Sequence, residues 1–279
     1  MTTKANSLKS LSIALALTFS VVTAPLALAH KEHNHSTTAV ATAVKGEHRS
    51  IANKARDKYR NPIETLSFFG FDETMTVVEI TPGSGWYTEI LAPALKGTGK
   101  LYGAHYPDTG EDNYYSNSRK KLVKKLASDV VYSEVVLTDF TPRKVSELAP
   151  QGSADLVLTF RNLHNWKDAG VEQVFKDAFT ALKPGGVLGV VEHRLPAGES
   201  PEKAVGYVSE AKTIKQAKAA GFRFVAASEI NANPKDMGLH PKGVWTLPPS
   251  LALKDQDRAK YLAIGESDRM TLKFVKPAK

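Results

Sequence analysis

From residue 76 onward the chain alternates between short apolar runs rich in β-branched residues and longer stretches with apolar positions at helical spacing. The runs lie at 77–80, 100–104, 130–137, 154–160, 187–194, 222–227 and 269–275. Bounded by turn-forming residues and too short for buried helices, they are predicted to be strands. Helices are predicted after Trp86 and over 117–126, 171–182 and 204–220. Strands that are apolar at successive positions are buried on both faces, as in a parallel sheet covered by helices. The predicted fold is therefore α/β, with ligands expected beyond the carboxyl ends of the strands.

Upstream of the first strand, residues 48–61 have helical character and many charges, and Pro62 suits the first turn of a second helix. Ile63, Leu66, Phe68, Phe69 and Phe71 form an aromatic-rich face predicted to cap the core. The cluster Arg56-Asp57-Lys58-Tyr59-Arg60-Asn61-Pro62 is dense in polar groups for a connector, so a substrate-side role competes with a structural one.

Residues 1–29 read as a secretory signal, with Lys4 and Lys9 at the start, an apolar core from Leu11 to Val22, and the small-x-small pattern Ala27-Leu28-Ala29. Cleavage is expected after Ala29, with Ala24 the alternative, which predicts a periplasmic or extracellular protein without a stable membrane anchor. Residues 30–45 read as a flexible His/Ala/Thr-rich segment. His30, His33 and His35 suit weak metal binding, but no catalytic metal is expected. Residues 46–279 are then one domain.

Composition narrows the chemistry. The 279 residues are 42% hydrophobic and 24% charged, a globular balance. The absence of cysteine excludes disulfides, thiolate metal sites and cysteine nucleophiles. The net charge of +8 is interspersed rather than striped. The densest run, Arg119 to Lys125, reads as the solvated face of one helix, so no nucleic-acid partner is expected.

Polar residues gather at four predicted strand ends: Glu79 and Thr81, His105 and Asp108, Asp139, and Arg161, Asn162 and His164. After the first strand, Thr81-Pro82-Gly83-Ser84-Gly85 makes the kind of turn that lets backbone approach a nucleotide-like ligand.

Three segments resemble motifs of the class I S-adenosylmethionine-dependent methyltransferases: 77–85 the glycine motif of the first strand, 155–166 the fourth-strand motif, and Leu182-Lys183-Pro184-Gly185-Gly186 the turn into strand five. More narrowly, 56–62, Phe68-Phe69-Gly70 and 265–270 resemble an often exported subgroup of predicted methyltransferases of uncertain substrate. The resemblance implies a Rossmann-like, doubly wound seven-stranded sheet, mostly parallel with an antiparallel last strand. It implies S-adenosyl-L-methionine as cofactor and a small molecule as methyl acceptor. Glu79 would orient the groups at the methionine end, and Gly83 and Gly85 would admit the ligand. Asp139 and Phe140 would meet the adenine, and Arg161 and Asn162 would line the pocket near the methyl. Two positions depart from the pattern. Thr81 replaces the first glycine, and its Cβ is predicted to crowd the cofactor. His105 stands where a carboxylate would bind both ribose hydroxyls, and an imidazole cannot accept that pair of hydrogen bonds.

Methyl transfer to an oxygen or nitrogen nucleophile needs a proton removed, which suits a histidine. His164, in Leu163-His164-Asn165-Trp166, resembles the base of small-molecule O-methyltransferases, with a helix-capping or loop role as its alternative. Glu192 and His193 are weaker candidates. Two rival functions are an exported non-catalytic ligand-binding or regulatory protein on the same scaffold, favoured by Thr81 and His105, and an NAD-dependent oxidoreductase. The latter gives the fourth-strand and Lys-Pro-Gly-Gly segments no role.

Overall fold

The computed structural model describes residues 1–2 and 38–278. The proposed signal core and the histidines at 30, 33 and 35 lie outside the described residues. The strands are β1 (Thr76–Ile80), β2 (Lys100–His105), β3 (Val136–Asp139), β4 (Ala154–Phe160), β5 (Leu182–His193), β6 (Arg223–Ser228) and β7 (Arg269–Val275). They form one seven-stranded sheet in the order β3-β2-β1-β4-β5-β7-β6. β1 to β5 pair in parallel, while β7 runs antiparallel to both β5 and β6. The strand order reverses between β1 and β4, the switch point where open α/β sheets leave a crevice.

The two-residue period of a strand explains the two cores. Val78, Ile80, Val157, Leu188 and Val190 face a layer that includes Trp166, Val174, Phe175 and Ala217. Val77, Leu156, Leu158, Phe160 and Val191 face Leu66, Phe69, Ile90 and Leu91. The helices carrying these residues are α4 (Pro62–Phe69) and α5 (Thr88–Leu95) on one face, and α7 (Leu163–Ala181) and α8 (Glu210–Ala219) on the other. Pro62 sits at the start of α4, where its missing N–H costs nothing, and Gly70 ends the helix at φ 80.

Several elements differ from the sequence reading. Residues 38–45 form a helix, α1, and Val40 and Ala43 are buried in the second core, so the segment expected to be flexible is structured from residue 38. The charged stretch 48–61 is two short helices, α2 (Ile51–Lys54) and α3 (Asp57–Arg60), ended by Asn61 in the left-handed region. Residues 130–132 form a 3-10 turn, because the Asp129 carboxylate accepts from Val131 N–H and holds the chain out of the sheet. α6 (Tyr114–Leu126) begins earlier than predicted because the Asn113 side chain accepts from the N–H groups of Tyr115 and Ser116. The Pro-rich connection after β6 contains a 3-10 turn (Gly243–Thr246) and helix α9 (Arg258–Ile264). Among the described residues no helix is long and apolar enough to cross a membrane.

Candidate active site

A cavity of about 630 Å³ lies beyond the carboxyl ends of β1 and β4. Its floor is the turn Thr81–Ser84 after β1 and the segment Phe160–Asn162 after β4. α6 contributes Tyr114, Tyr115 and Ser118, the α2–α3 region Arg56 and Arg60, and the β6–β7 connection Trp245 and Pro248 to Ser250. The volume is in the range of small-molecule sites.

The two strands feeding the cavity end alike. Thr81 has φ 51 and Arg161 has φ 60, both in the left-handed region that side chains with a Cβ rarely adopt. Each still closes the sheet with its N–H, Thr81 to Ala104 O and Arg161 to Val191 O, both at 2.7 Å. The chain then leaves the sheet sharply. Strain of this kind costs on the order of 1–3 kcal/mol per residue and persists only where the surroundings enforce it. Thr81 Oγ1 is buried and has no hydrogen-bond partner among the described residues.

Both glycines of the turn have a positive φ, 63 at Gly83 and 85 at Gly85, and they differ in their surroundings. Gly83 has φ 63 and a Cβ there would meet nothing within 4 Å, so backbone conformation alone demands glycine and the space beside it is open. At Gly85 a Cβ would come within 3.0 Å of Leu122 Cδ1 and Lys125 Cδ. Gly85 therefore serves close packing of α6, and it does not line the cavity.

His164 occupies the first turn of α7, set apart from the main helix by Lys167 at φ 55. Its ring is held by Glu192, at the end of β5 and fully buried: Nδ1 lies 3.0 Å from Oε1. Glu192 also accepts from the N–H groups of Leu163 at 2.6 Å and His193 at 2.7 Å, so it caps the turn and is an acceptor throughout. The proton on His164 therefore belongs on Nδ1, and Nε2 presents its lone pair. Asn165 Nδ2 donates to that Nε2 at 3.0 Å. The helix-capping role weighed against a base for His164 belongs instead to its partner. His193, 5.1 Å from His164 between ring centroids, is kept well below its usual pKa by burial first, with the neighbouring His164 and Arg269 acting in the same direction. His164, Glu192 and His193 place potential metal-ligand atoms within 4.8 Å of one another. Glu192 already accepts four N–H donors, those of Leu163, His164 and His193 and the His164 ring, and Ser267 Oγ lies 2.5 Å from His193 Nδ1, so both are engaged within the protein.

The cluster at 56–62 and the segment 265–270 meet at this cavity. Glu266 receives Arg56 Nε at 2.6 Å and Arg60 Nε at 3.3 Å and is also paired with Arg269. These guanidinium groups hold the Glu266 carboxyl well below its ordinary range despite burial, which acts the other way. Arg60 also lies over the Trp86 ring, 4.5 Å from its centroid.

Of the residues singled out in the sequence, Thr81, Gly83, Arg161, Asn162 and His164 line the cavity together. Asn162 commits its amide to Ile80 O at 3.0 Å and Thr159 Oγ1 at 3.1 Å, stitching the ends of β1 and β4. Glu79 stands behind the floor, accepting from Thr88 Oγ1 at 2.6 Å, and burial raises its pKa from 4.5 to about 7. His105, Asp139 and Phe140 do not reach the cavity wall. α6 covers the ends of β2 and β3. Ser118 Oγ and the Tyr106 carbonyl hold the His105 ring at 3.3 and 3.1 Å. Arg119 pairs with an exposed Asp139 at 3.2 Å. Phe140 is fully buried, edge-on to Tyr106, which stacks on Tyr115 at 3.9 Å. Tyr115 and Ser118, which carried no sequence signal, provide the wall at that end.

The fold defined by this sheet order, with its antiparallel β7, is the Rossmann-like fold of class I methyltransferases. A S-adenosylmethionine-dependent methyltransferase from Aquifex aeolicus matches at TM-score 0.55 and 16% identity, over 80% of this chain and 93% of that one. One from Methanosarcina mazei matches at 0.53 and 12%, over 77% and 97%. The cyclase SpnF matches at 0.58 and 14%, over 88% and 94%. At these identities the likeness concerns the fold, which by itself fixes no reaction. No family model and no curated protein matched the chain.

Proposed function

We propose that the protein is a S-adenosyl-L-methionine-dependent methyltransferase that acts on the hydroxyl or amine of a small molecule, with His164 as general base. The observation that carries this reading is the His164–Glu192 pair, opening onto the same cavity as the β1 turn in a sheet of methyltransferase topology. The turn fits a cofactor: space beside Gly83 is open. The backbone of Thr81 and Gly83 would hold the methionine end, with the Thr81 side chain crowding it, and Tyr115 and Ser118 stand where the adenosine end would lie. When bound, the cofactor supplies an electrophilic methyl group on a sulfonium.

The protein's own contribution is positional. Glu192 fixes the imidazole rotamer and tautomer, and Nε2 takes the acceptor's proton once the acceptor displaces the Asn165 amide that donates to it. The aromatic wall of Phe160, Trp166 and Trp245 excludes water and orients the acceptor. We further propose that the protein is exported, a reading supported by the charged start, apolar run and Ala27-Leu28-Ala29 pattern of residues 1–29.

Titration calorimetry with S-adenosylmethionine and S-adenosylhomocysteine tests the cofactor assignment, and binding of both is expected. His164→Ala should leave that binding intact and slow turnover of any accepted substrate by about 10²–10⁴-fold. Absence of binding at millimolar ligand would overturn the reading in favour of a non-catalytic scaffold. Loss of binding in the variant would return His164 to a structural role.

A further inference from the structure

The arginines of the cavity outnumber the carboxylates available to them. Arg56, Arg60 and Arg269 share one anion, Glu266. Arg161 lines the same cavity and its guanidinium has no hydrogen bond or ion pair among the described residues. The carboxylates acting on it from a distance are Glu266, already shared, and Glu79, which burial keeps largely protonated below about pH 7. Burial, and then the charges of Arg269 and Arg56, bring the Arg161 pKa down to about 10. Arg60 is itself only 3% exposed, and among the described residues its buried Nη1 has no hydrogen-bond partner. Arg161 is part-buried, and an unpaired cation withdrawn in part from water is retained where something else balances it. Arg161 also sits in a strained left-handed conformation, which a structural arginine at a strand end would not need.

We infer that the cavity takes an acceptor carrying its own anionic group, a carboxylate or phosphate, held by Arg161 and the free Nη1 of Arg60. A guanidinium offers a planar fork of donors matched to either oxyanion. The neighbouring rings of Phe160, Trp166 and Trp245 suit an aromatic or otherwise flat body behind that group. This inference rests on the methyltransferase reading for the occupant's role as methyl acceptor, and a cofactor carboxylate is the competing claimant for Arg161.

The test uses the full chain saturated with S-adenosylhomocysteine, titrated with benzoate, phenyl phosphate and neutral benzamide. At least one anion should bind and benzamide should not. Tighter benzoate assigns a carboxylate, tighter phenyl phosphate a phosphate. Arg161→Gln should weaken the anion on the order of thirtyfold, as loss of a buried charged hydrogen-bond partner does. It should leave S-adenosylhomocysteine affinity within about twofold and should not lower the melting temperature, because no internal contact is removed. Displacement of the anion by S-adenosylhomocysteine would overturn the inference, since the arginines would then serve the cofactor. Equal binding of benzamide, absence of any anion binding, or a destabilised variant would overturn it too. If S-adenosylhomocysteine fails to bind while benzoate binds and responds to Arg161→Gln, the anion site stands and the methyltransferase reading falls.

Discussion

Glu79 shows how a single residue can be chemically prominent without touching the cavity. Its position between Val78 and Ile80 turns it, by strand alternation, to the opposite face, toward Thr88 at the start of α5, where it is 3% exposed. Because the folded state raises its pKa from 4.5 to about 7, the folded protein binds a proton that the unfolded chain has released. Stability contributed by the protonated form is complete below about pH 4.5 and is lost as pH rises through about 7. Glu79→Gln keeps an acceptor for Thr88 and removes the titration. It should be more stable than the parent by about 3 kcal/mol at pH 8, with the gap closing toward pH 4. Denaturant unfolding across that range reads the difference. His193, neutral in the fold, loses stability below about 6.5 in both proteins and cancels. A gap that does not vary with pH would show that Glu79 is ionised in the fold. At this scale His164 was legible as a strand-end histidine, whereas the purpose of Glu192 was not. The two lie 28 residues apart in sequence, and β4 and β5 must pair before the imidazole meets the carboxylate.

At the scale of elements, the functional information sits where β1 and β4 stop. Replacing Thr81 by Gly relieves a left-handed residue, about 1–2 kcal/mol, and adds unfolded-state entropy worth about 0.5–1 kcal/mol. The two nearly offset, so stability should change little. Removing the Cβ and the orphaned hydroxyl should instead tighten S-adenosylhomocysteine, measured by calorimetry. Weaker binding would mean that Thr81 Oγ1 is a ligand contact rather than an obstruction. The strand ends were readable because apolar runs stop abruptly at polar residues, and 154–160 and 269–275 were correct to the residue. The stretch 130–137 was misjudged because its apolar residues continue past the point where a carboxylate cap, invisible to periodicity, sets a turn. Likewise α6 closes over β2 and β3 through Ser118 and Arg119, so His105 is buried under it and Asp139 pairs with Arg119 at the surface, away from the cavity.

At the scale of the whole molecule, α1 is the least expected part. Its Val40 and Ala43 are 3% and 4% exposed against a core that includes Trp86, Tyr87 and Leu91. Arg49 anchors the helix end through the Val44 carbonyl at 2.8 Å. Burying a valine contributes about 1.5–3 kcal/mol, and a domain of this size shifts about 2–4 °C per kcal/mol. A chain beginning at residue 46 should therefore melt several degrees below one beginning at residue 30. Equal melting temperatures would make α1 dispensable. The Ala/Thr/Val composition of 36–44 concealed this helix because the partner that completes its apolar face is another part of the fold.

The local chemistry of the chain determined the strands, the glycine turn and the residue types available at each strand end, because hydrophobic period and backbone propensity act over a few neighbours. It also determined the sheet class, since runs apolar on both faces must be covered by helices. The tertiary structure decided which of those strand-end residues face the cavity. Thr81, Gly83, Arg161, Asn162 and His164 do; His105 and Phe140 are buried under α6 and in the core, and Asp139 pairs with Arg119 at the surface. It also brought Arg56 and Arg60 to Glu266 across some 210 and 206 residues, and left Arg161 beside them without a hydrogen bond or ion pair among the described residues. Charge balance in a buried site depends on every group within a few ångströms, and that is a property of three-dimensional packing alone.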